Sequence, residues 1–188
     1  MNRILPTLHR AGAPGVTLVL GGTRSGKSAY AEDLLAKSLL AEASAPVYVA
    51  TAQPIDNSMQ ARIELHRRRR GEHWQTMEAA VELAPALALA RNPGSAVLID
   101  SLTVWLGNLM HHQKDIASAT DGLVNHLACV QGRLVIVASE VGLGIIPANA
   151  AARRFADLAG TLNQRIAARA HTVILVTAGL PMALKGSL

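Results

Sequence analysis

The sequence predicts an α/β fold, a mostly parallel sheet of short buried strands with helices on both faces. Three observations carry this. Short, continuously apolar runs at residues 16–20, 46–50, 96–99, 134–138 and 172–177 alternate with helix-forming stretches; a sheet with one wet face would instead alternate apolar and polar residues. The first run, a glycine-rich loop at 21–28 and a helix-former at 29–40 follow one another without a spare residue, the order of a phosphate-binding unit. Finally, 188 residues, half of them apolar, suffice for one well-buried domain and are short for two.

Each element has a local reason. After the second strand, ending at Thr51, a polar stretch from Gln53 to Asn57 breaks the pattern. Asp56, Asn57 or Ser58 can cap a helix running through Met59, Ile63 and His66 to the arginines, with Gly71 ending it. Residues 73–76 suit a brief extended piece, and 78–91 a helix interrupted at Pro85. Asn92, Pro93 and Gly94 make a turn before the strand that closes on Asp100. Helices are expected over 101–112, 117–130 and 148–170, with 141–147, which holds two glycines and a proline, as a loop. Residues 1–15 read as a loose N-terminal extension without the apolar core of a signal peptide, and 16–188 as a single nucleotide-binding domain.

Composition narrows the function. No apolar run approaches the ~20 residues that cross a membrane. Aromatics make up only 3 % of the chain, so Ala, Leu and Val must build the core. Cys129 is the only cysteine, which excludes an internal disulfide or a cysteine-cluster metal site and fits a reducing cytoplasm. The net charge of +5, much of it from Arg67, Arg68, Arg69 and Arg70, suits anionic partners.

The loop Gly21-Gly22-Thr23-Arg24-Ser25-Gly26-Lys27-Ser28 fits G-x-x-x-x-G-K-S. Its glycines let successive N–H groups turn toward an anion, and the following helix adds its partial positive charge. Lys27 is placed to reach the β- and γ-phosphates of a nucleotide, and the Ser28 hydroxyl to ligate Mg²⁺. Since ligands of parallel sheets sit at the carboxyl ends of the strands, the chemistry is expected just after Leu20, Ala50, Ile99 and Ala138. Asp100 then suits a role in organising Mg²⁺, although many strands end in an aspartate that only caps a helix. Glu140 ends another strand; a role on metal or substrate and a solvated strand end fit it equally.

His66 has Arg62 and Arg70 four residues to either side on a helix, and Arg69 at three. Cations resist protonation of an imidazole, and guanidiniums hold phosphate oxygens, as a histidine that attacks phosphorus requires. From spacing alone, a solvated basic helix with an incidental histidine fits better. The arginines also raise a nucleic-acid surface, but only Trp74 lies near for stacking.

These residues together resemble the bifunctional adenosylcobinamide kinase/adenosylcobinamide-phosphate guanylyltransferase family of cobalamin biosynthesis. The resemblance rests on the phosphate loop with Arg24-Ser25; on Val49-Ala50-Thr51-Ala52 followed by Met59 and Arg62-Ile63-x-x-His66; and on Trp74-x-Thr76-x-Glu78 and Leu98-Ile99-Asp100 with Trp105 and Asn108. It continues through Glu140-Val141-Gly142-x-Gly144-Ile145-x-Pro147 and Arg154-Phe155-x-Asp157-x-x-Gly160-x-x-Asn163-Gln164, the most distinctive segments. The resemblance implies a P-loop NTPase fold of the RecA type, a trimer, and two reactions. One phosphorylates the aminopropanol hydroxyl of adenosylcobinamide with ATP or GTP. The other moves GMP from GTP onto that phosphate through a GMP-histidine at the position of His66, releasing pyrophosphate. It implies nucleotide contacts from the phosphate loop, from Ala50, Thr51 and Ala52, from Arg67, Arg68, Arg69 and Arg70, and from Glu78 and Asp100. Where some relatives have a second histidine before the nucleophile, this chain has Leu65. Residues 180–188 match poorly and take no role. Two other readings stay open at this point: a P-loop kinase for another metabolite with His66 structural, and a nucleic-acid-binding module using the arginines.

Overall fold

The computed structural model describes residues 9–38, 45–54, 57–71 and 73–188. Its strands are β1 (Gly15–Gly21), β2 (Val47–Ala50), β3 (Gln75–Glu78), β4 (Ala96–Asp100), β5 (Arg133–Ser139), β6 (Thr172–Thr177) and β7 (Leu180–Lys185). Its helices are α1 (Lys27–Ser38), α2 (Asn57–Arg70), α3 (Ala84–Leu89), α4 (Leu102–His111), α5 (Ile116–Leu127) and α6 (Ala150–Arg169). The seven strands form one sheet in the order β3-β2-β4-β5-β1-β6-β7. All neighbours pair in parallel except β6 with β7.

Every residue of β1 is buried, because both faces of the sheet are covered. Successive side chains go to opposite faces. Leu18 and Leu20 therefore join one core with Ile99, Trp105, Ile136 and Ile166. Val19 joins the other with Ala31, Leu35, Leu98, Val137 and Ile174. Each such Leu or Ile, taken out of water, contributes about 1.5–3 kcal/mol. Helix starts are capped as their residues suggest. Ser101 accepts from the Val104 N–H at 3.4 Å, Asp115 from Ser118 at 3.1 Å, and Asn149 from Ala151 and Ala152. Helix α2 begins at Asn57, and Asp56, one of its expected caps, lies outside the described residues. Its end is Gly71, whose φ of +74° is the left-handed value glycine adopts without strain.

The structure corrects several expectations. Pro85 does not interrupt a helix: it stands in the first turn of α3, where a missing N–H costs nothing. Glu78 ends β3 and does not begin a helix. The expected loose extension falls partly outside the described residues. Of the rest, the Ala11 N–H donates to the Ser187 carbonyl at 2.9 Å, the Ser187 N–H donates to His9, and Ala11 is buried. Residues 180–188, given no role, supply β7. Ala178 and Gly179 both have positive φ (52° and 80°), the conformation of a type I′ hairpin turn, which folds β7 back on β6.

Candidate active site

A cavity of about 940 Å³ opens at the carboxyl ends of β1, β2, β4 and β5, the four strand ends where chemistry is expected. The phosphate loop forms its floor. Gly21 must be glycine: a Cβ there would come within 2.6 Å of the Val176 carbonyl oxygen. Gly26 has φ +94° and Arg24 φ +59°, a conformation that costs a non-glycine residue about 1–2 kcal/mol. Lys27 begins α1, and its Nζ donates to the Gly22 carbonyl at 3.1 Å across the loop. Burial holds the Lys27 pKa below the usual lysine value, and the negative charge of Asp100 offsets this in part.

Asp100 closes β4 opposite the loop. Its Oδ2 accepts from the Tyr48 hydroxyl at 3.0 Å. Burial, with Asp100 next, drives the Tyr48 pKa far above its ordinary value, so Tyr48 serves only as a donor. The peptide joining Asp100 to Ser101 is cis. Thr51 Oγ1 accepts from the Ser101 N–H at 2.8 Å and donates to its carbonyl at 2.9 Å.

The third wall is α2, which carries His66, Arg67 and Arg70 to the cavity. Only Arg70 is buried among the α2 side chains that are described. It turns inward, with its guanidinium carbon 3.3 Å from the Tyr48 ring centroid. Arg67 pairs with Glu78 at 3.1 Å, both side chains largely exposed. The side chains of Arg62 and Arg69 lie outside the described residues. His66 therefore does not stand among cations alone. Donor atoms of His66, Glu32 and Asp100 lie within 4.8 Å of one another, so carboxylates share its surroundings.

Of the sequence-predicted residues, Thr23, Arg24, Ser25, Gly26, Lys27, Ser28, Ala50, Ala52, His66, Arg67, Arg70, Glu78 and Asp100 line the cavity. Gly21, Gly22, Thr51 and Arg68 do not. Thr51 is fully buried and fastens β2 to the turn after Asp100. Sequence reasoning missed Tyr48, which joins Arg70 to Asp100, and Glu32, whose place on α1 four residues after Ser28 was its only signal. Glu140 is not on the wall; its Oε1 accepts from the Gly142 N–H at 2.9 Å and ties the loop that follows. With Arg67 paired and Arg70 buried, the described arginine side chains do not make a continuous basic strip.

Two buried polar atoms of the lining have no hydrogen-bond partner, Ser25 Oγ and Arg70 Nη1. Such atoms are costly to leave unpaired, and both belong to residues that line the cavity. The Ser28 hydroxyl and the Asp100 carboxylate are oxygen donors of the kind a hard divalent cation takes. The pocket therefore suits a nucleotide, and Ser28 and Asp100 are the residues that would hold a cation beside it. No helix of the described residues is long and apolar enough to cross a membrane.

Residues 17–184 match the family described as cobinamide kinase / cobinamide phosphate guanyltransferase. The chain is 43% identical to a bifunctional adenosylcobalamin biosynthesis protein, CobP, of Pseudomonas aeruginosa, over 90% of this chain and 96% of that one. It is 36% and 38% identical to the CobU proteins of the same description from Escherichia coli and Salmonella typhimurium, in each case over 89% of this chain and 98% of the relative. Among solved structures, the flagellar accessory protein FlaH from Methanocaldococcus jannaschii superposes with a TM-score of 0.53, covering 95% of this chain and 80% of that one. At 12% identity that likeness speaks to the RecA-like fold alone.

Proposed function

The chain belongs to the cobinamide kinase / cobinamide phosphate guanyltransferase family, and from that premise we propose that one pocket serves both reactions, with His66 as the carrier of GMP. The observation that carries this reading is that His66, on α2, lines the same cavity as Lys27 and Ser28 of the phosphate loop.

In the kinase reaction the aminopropanol hydroxyl of adenosylcobinamide attacks the γ-phosphorus of ATP or GTP. Little covalent help is needed, so positioning and charge do the catalysis. The loop amides cradle the phosphates, and Lys27 offsets the charge that develops as the γ-phosphoryl leaves. Ser28 and Asp100 would hold Mg²⁺, which supplies charge neutralisation between the phosphates.

In the transferase reaction a ring nitrogen of His66 attacks the α-phosphorus of GTP. A P–N bond forms, the bond to the bridging oxygen breaks, and pyrophosphate leaves with that electron pair. A phosphate oxygen of adenosylcobinamide phosphate then attacks the same phosphorus and His66 departs, giving adenosylcobinamide-GDP. The covalent stage splits one difficult transfer into two easier ones. Glu78, Ala50, Ala52, Arg67 and Arg70 are the nucleotide contacts. A homotrimer in the cytoplasm completes the reading, and sedimentation of the purified protein checks the assembly.

The deciding experiment is incubation with α-labelled GTP. The wild type should take up label in a form lost in mild acid and stable in alkali, as a P–N bond to imidazole is. His66→Asn should take up none while still phosphorylating adenosylcobinamide. Label on the His66→Asn protein, or loss of both activities in a folded variant, would overturn the covalent role.

A further inference from the structure

Three side chains from three separate elements meet beside the cavity, two of them, His66 and Asp100, on its wall. Glu32 of α1, His66 of α2 and Asp100 at the end of β4 each place a donor atom within 4.8 Å of the other two. Neither proposed reaction uses Glu32. It is only 6% exposed, so its carboxylate is held well away from water.

The donor set has a recognisable chemistry. Two carboxylates and a neutral imidazole carry a formal charge of minus two, which matches a divalent ion. Imidazole suits ions such as Zn²⁺ and Co²⁺, whereas Mg²⁺ prefers oxygen ligands and keeps its waters. One donor already has the outer support that metal ligands usually have: the Tyr48 hydroxyl donates to Asp100 Oδ2 at 3.0 Å. The backbone that carries the set comes from the sheet and from two helices, so an ion there would also tie α2 to the rest of the fold.

We propose that Glu32, His66 and Asp100 form a binding site for a borderline divalent cation of the Zn²⁺ and Co²⁺ class, sharing only Asp100 with the residues that would hold the Mg²⁺ of the nucleotide, and that such an ion competes with GMP for His66. A neutral imidazole has one ring lone pair. With that pair on a metal the other nitrogen carries the proton, and attack on phosphorus stops. The site is thus a lock on the transferase half of the enzyme, a consequence that rests on the role proposed above for His66; the binding of the ion does not.

The test uses the full chain without nucleotide and Co²⁺ as an optical probe, read by its visible absorption and by equilibrium dialysis. One equivalent should bind, Zn²⁺ should displace it, and an equal concentration of Mg²⁺ should not. Glu32→Gln and His66→Asn should each weaken binding at least tenfold, with circular dichroism confirming that both remain folded. His66 is only half-buried, so its variant keeps the test informative if the Glu32 variant fails to fold. The double variant of the exposed neighbours His111 and His112 should bind as the wild type does. Absence of saturable Co²⁺ binding overturns the site, as does unchanged affinity in a folded His66→Asn protein. Because the readout is optical, the two readings fail separately: Co²⁺ binding without GMP labelling overturns the carrier role of His66 and leaves the metal site standing.

Discussion

The phosphate loop and α2 face each other across one cavity, yet they are held in different ways. The loop is clamped between β1, buried along its whole length, and α1, which buries Ala31, Glu32 and Leu35. Its backbone is over-determined: Gly21 has no room for a side chain, and the Ser25 carbonyl accepts from the Gly179 N–H at 2.8 Å. None of the described apolar side chains of α2 is fully buried. Among its described side chains only Arg70 is buried, and Arg67 adds one exposed ion pair. A phosphate cradle must be rigid to be preorganised. A helix that brings a nucleophile to one phosphorus and then to an acceptor gains from a lighter attachment. The comparison teaches that damage to the loop should strike both activities, and damage to α2 mainly one.

The largest expected effect is at His66. Replacing it with Asn should lower guanylyl transfer by on the order of 10⁵ or more, as loss of a covalent nucleophile does. Phosphorylation of adenosylcobinamide should stay within a few-fold of wild type. Assaying the two activities on the same preparation checks this, and equal losses would erase the contrast between the regions.

Lys27→Ala should lower both activities by roughly 10²–10³, the usual cost of one preorganised contact to developing charge. Kinase turnover near that of wild type would show that the loop works without its cation.

The anchor of α2 offers a sharper case. Arg70 stacks on Tyr48 at 3.3 Å in a buried site, where a cation–π contact contributes about 2 kcal/mol. Arg70→Met should therefore reduce the transferase by about tenfold or more and the kinase by less. If the kinase suffers as much, the two regions are coupled more tightly than their packing suggests.

A pH profile tests the loop by itself. Burial lowers the Lys27 pKa, so its ammonium is lost at a lower pH than an ordinary lysine loses it. The profile of kcat/KM for the nucleotide reports groups of the free enzyme. Its alkaline limb should accordingly begin below the ordinary lysine value of 10.5. Asp100→Asn removes the charge that holds the pKa up, so it should move the limb lower still. An unmoved limb would separate Lys27 from Asp100.

The smallest effect is expected at the exposed pair. Arg67→Ala breaks a contact to Glu78 between side chains 56% and 77% exposed. Such pairs contribute about 0–1 kcal/mol, so Tm should change by less than about 3 °C. A larger fall would mean that α2 hangs on this pair more than on Arg70.

What the sequence determined by itself is what depends on near neighbours in the chain. The run ahead of Gly21, the glycines and the helix after Lys27 specify a strand, an anion cradle and a dipole without help from elsewhere. The buried strands were legible because both faces of a parallel sheet exclude water, which forces unbroken apolar runs. Ser101 and Gly71 marked the ends of α4 and α2 by cap chemistry that is equally local. The family's own spacing, from the loop to His66 and on to Asp100, singled out the residues proposed to react.

Only the tertiary structure decided which of them meet. Residues 180–188 read as nothing in particular because an edge strand that is exposed almost throughout has no buried run to mark it; β6 and the turn at Ala178 and Gly179 make it a strand. Pro85 reads as a break when helix boundaries are unknown and as a start once α3 is seen. Spacing along α2 surrounded His66 with arginines, yet Arg70 leaves that ring for Tyr48, and Glu32 and Asp100 arrive from α1 and β4. Helical periodicity orders charges along one helix. The field at a side chain is set by whatever the fold packs within a few ångströms of it, and at His66 that includes carboxylates from far along the chain.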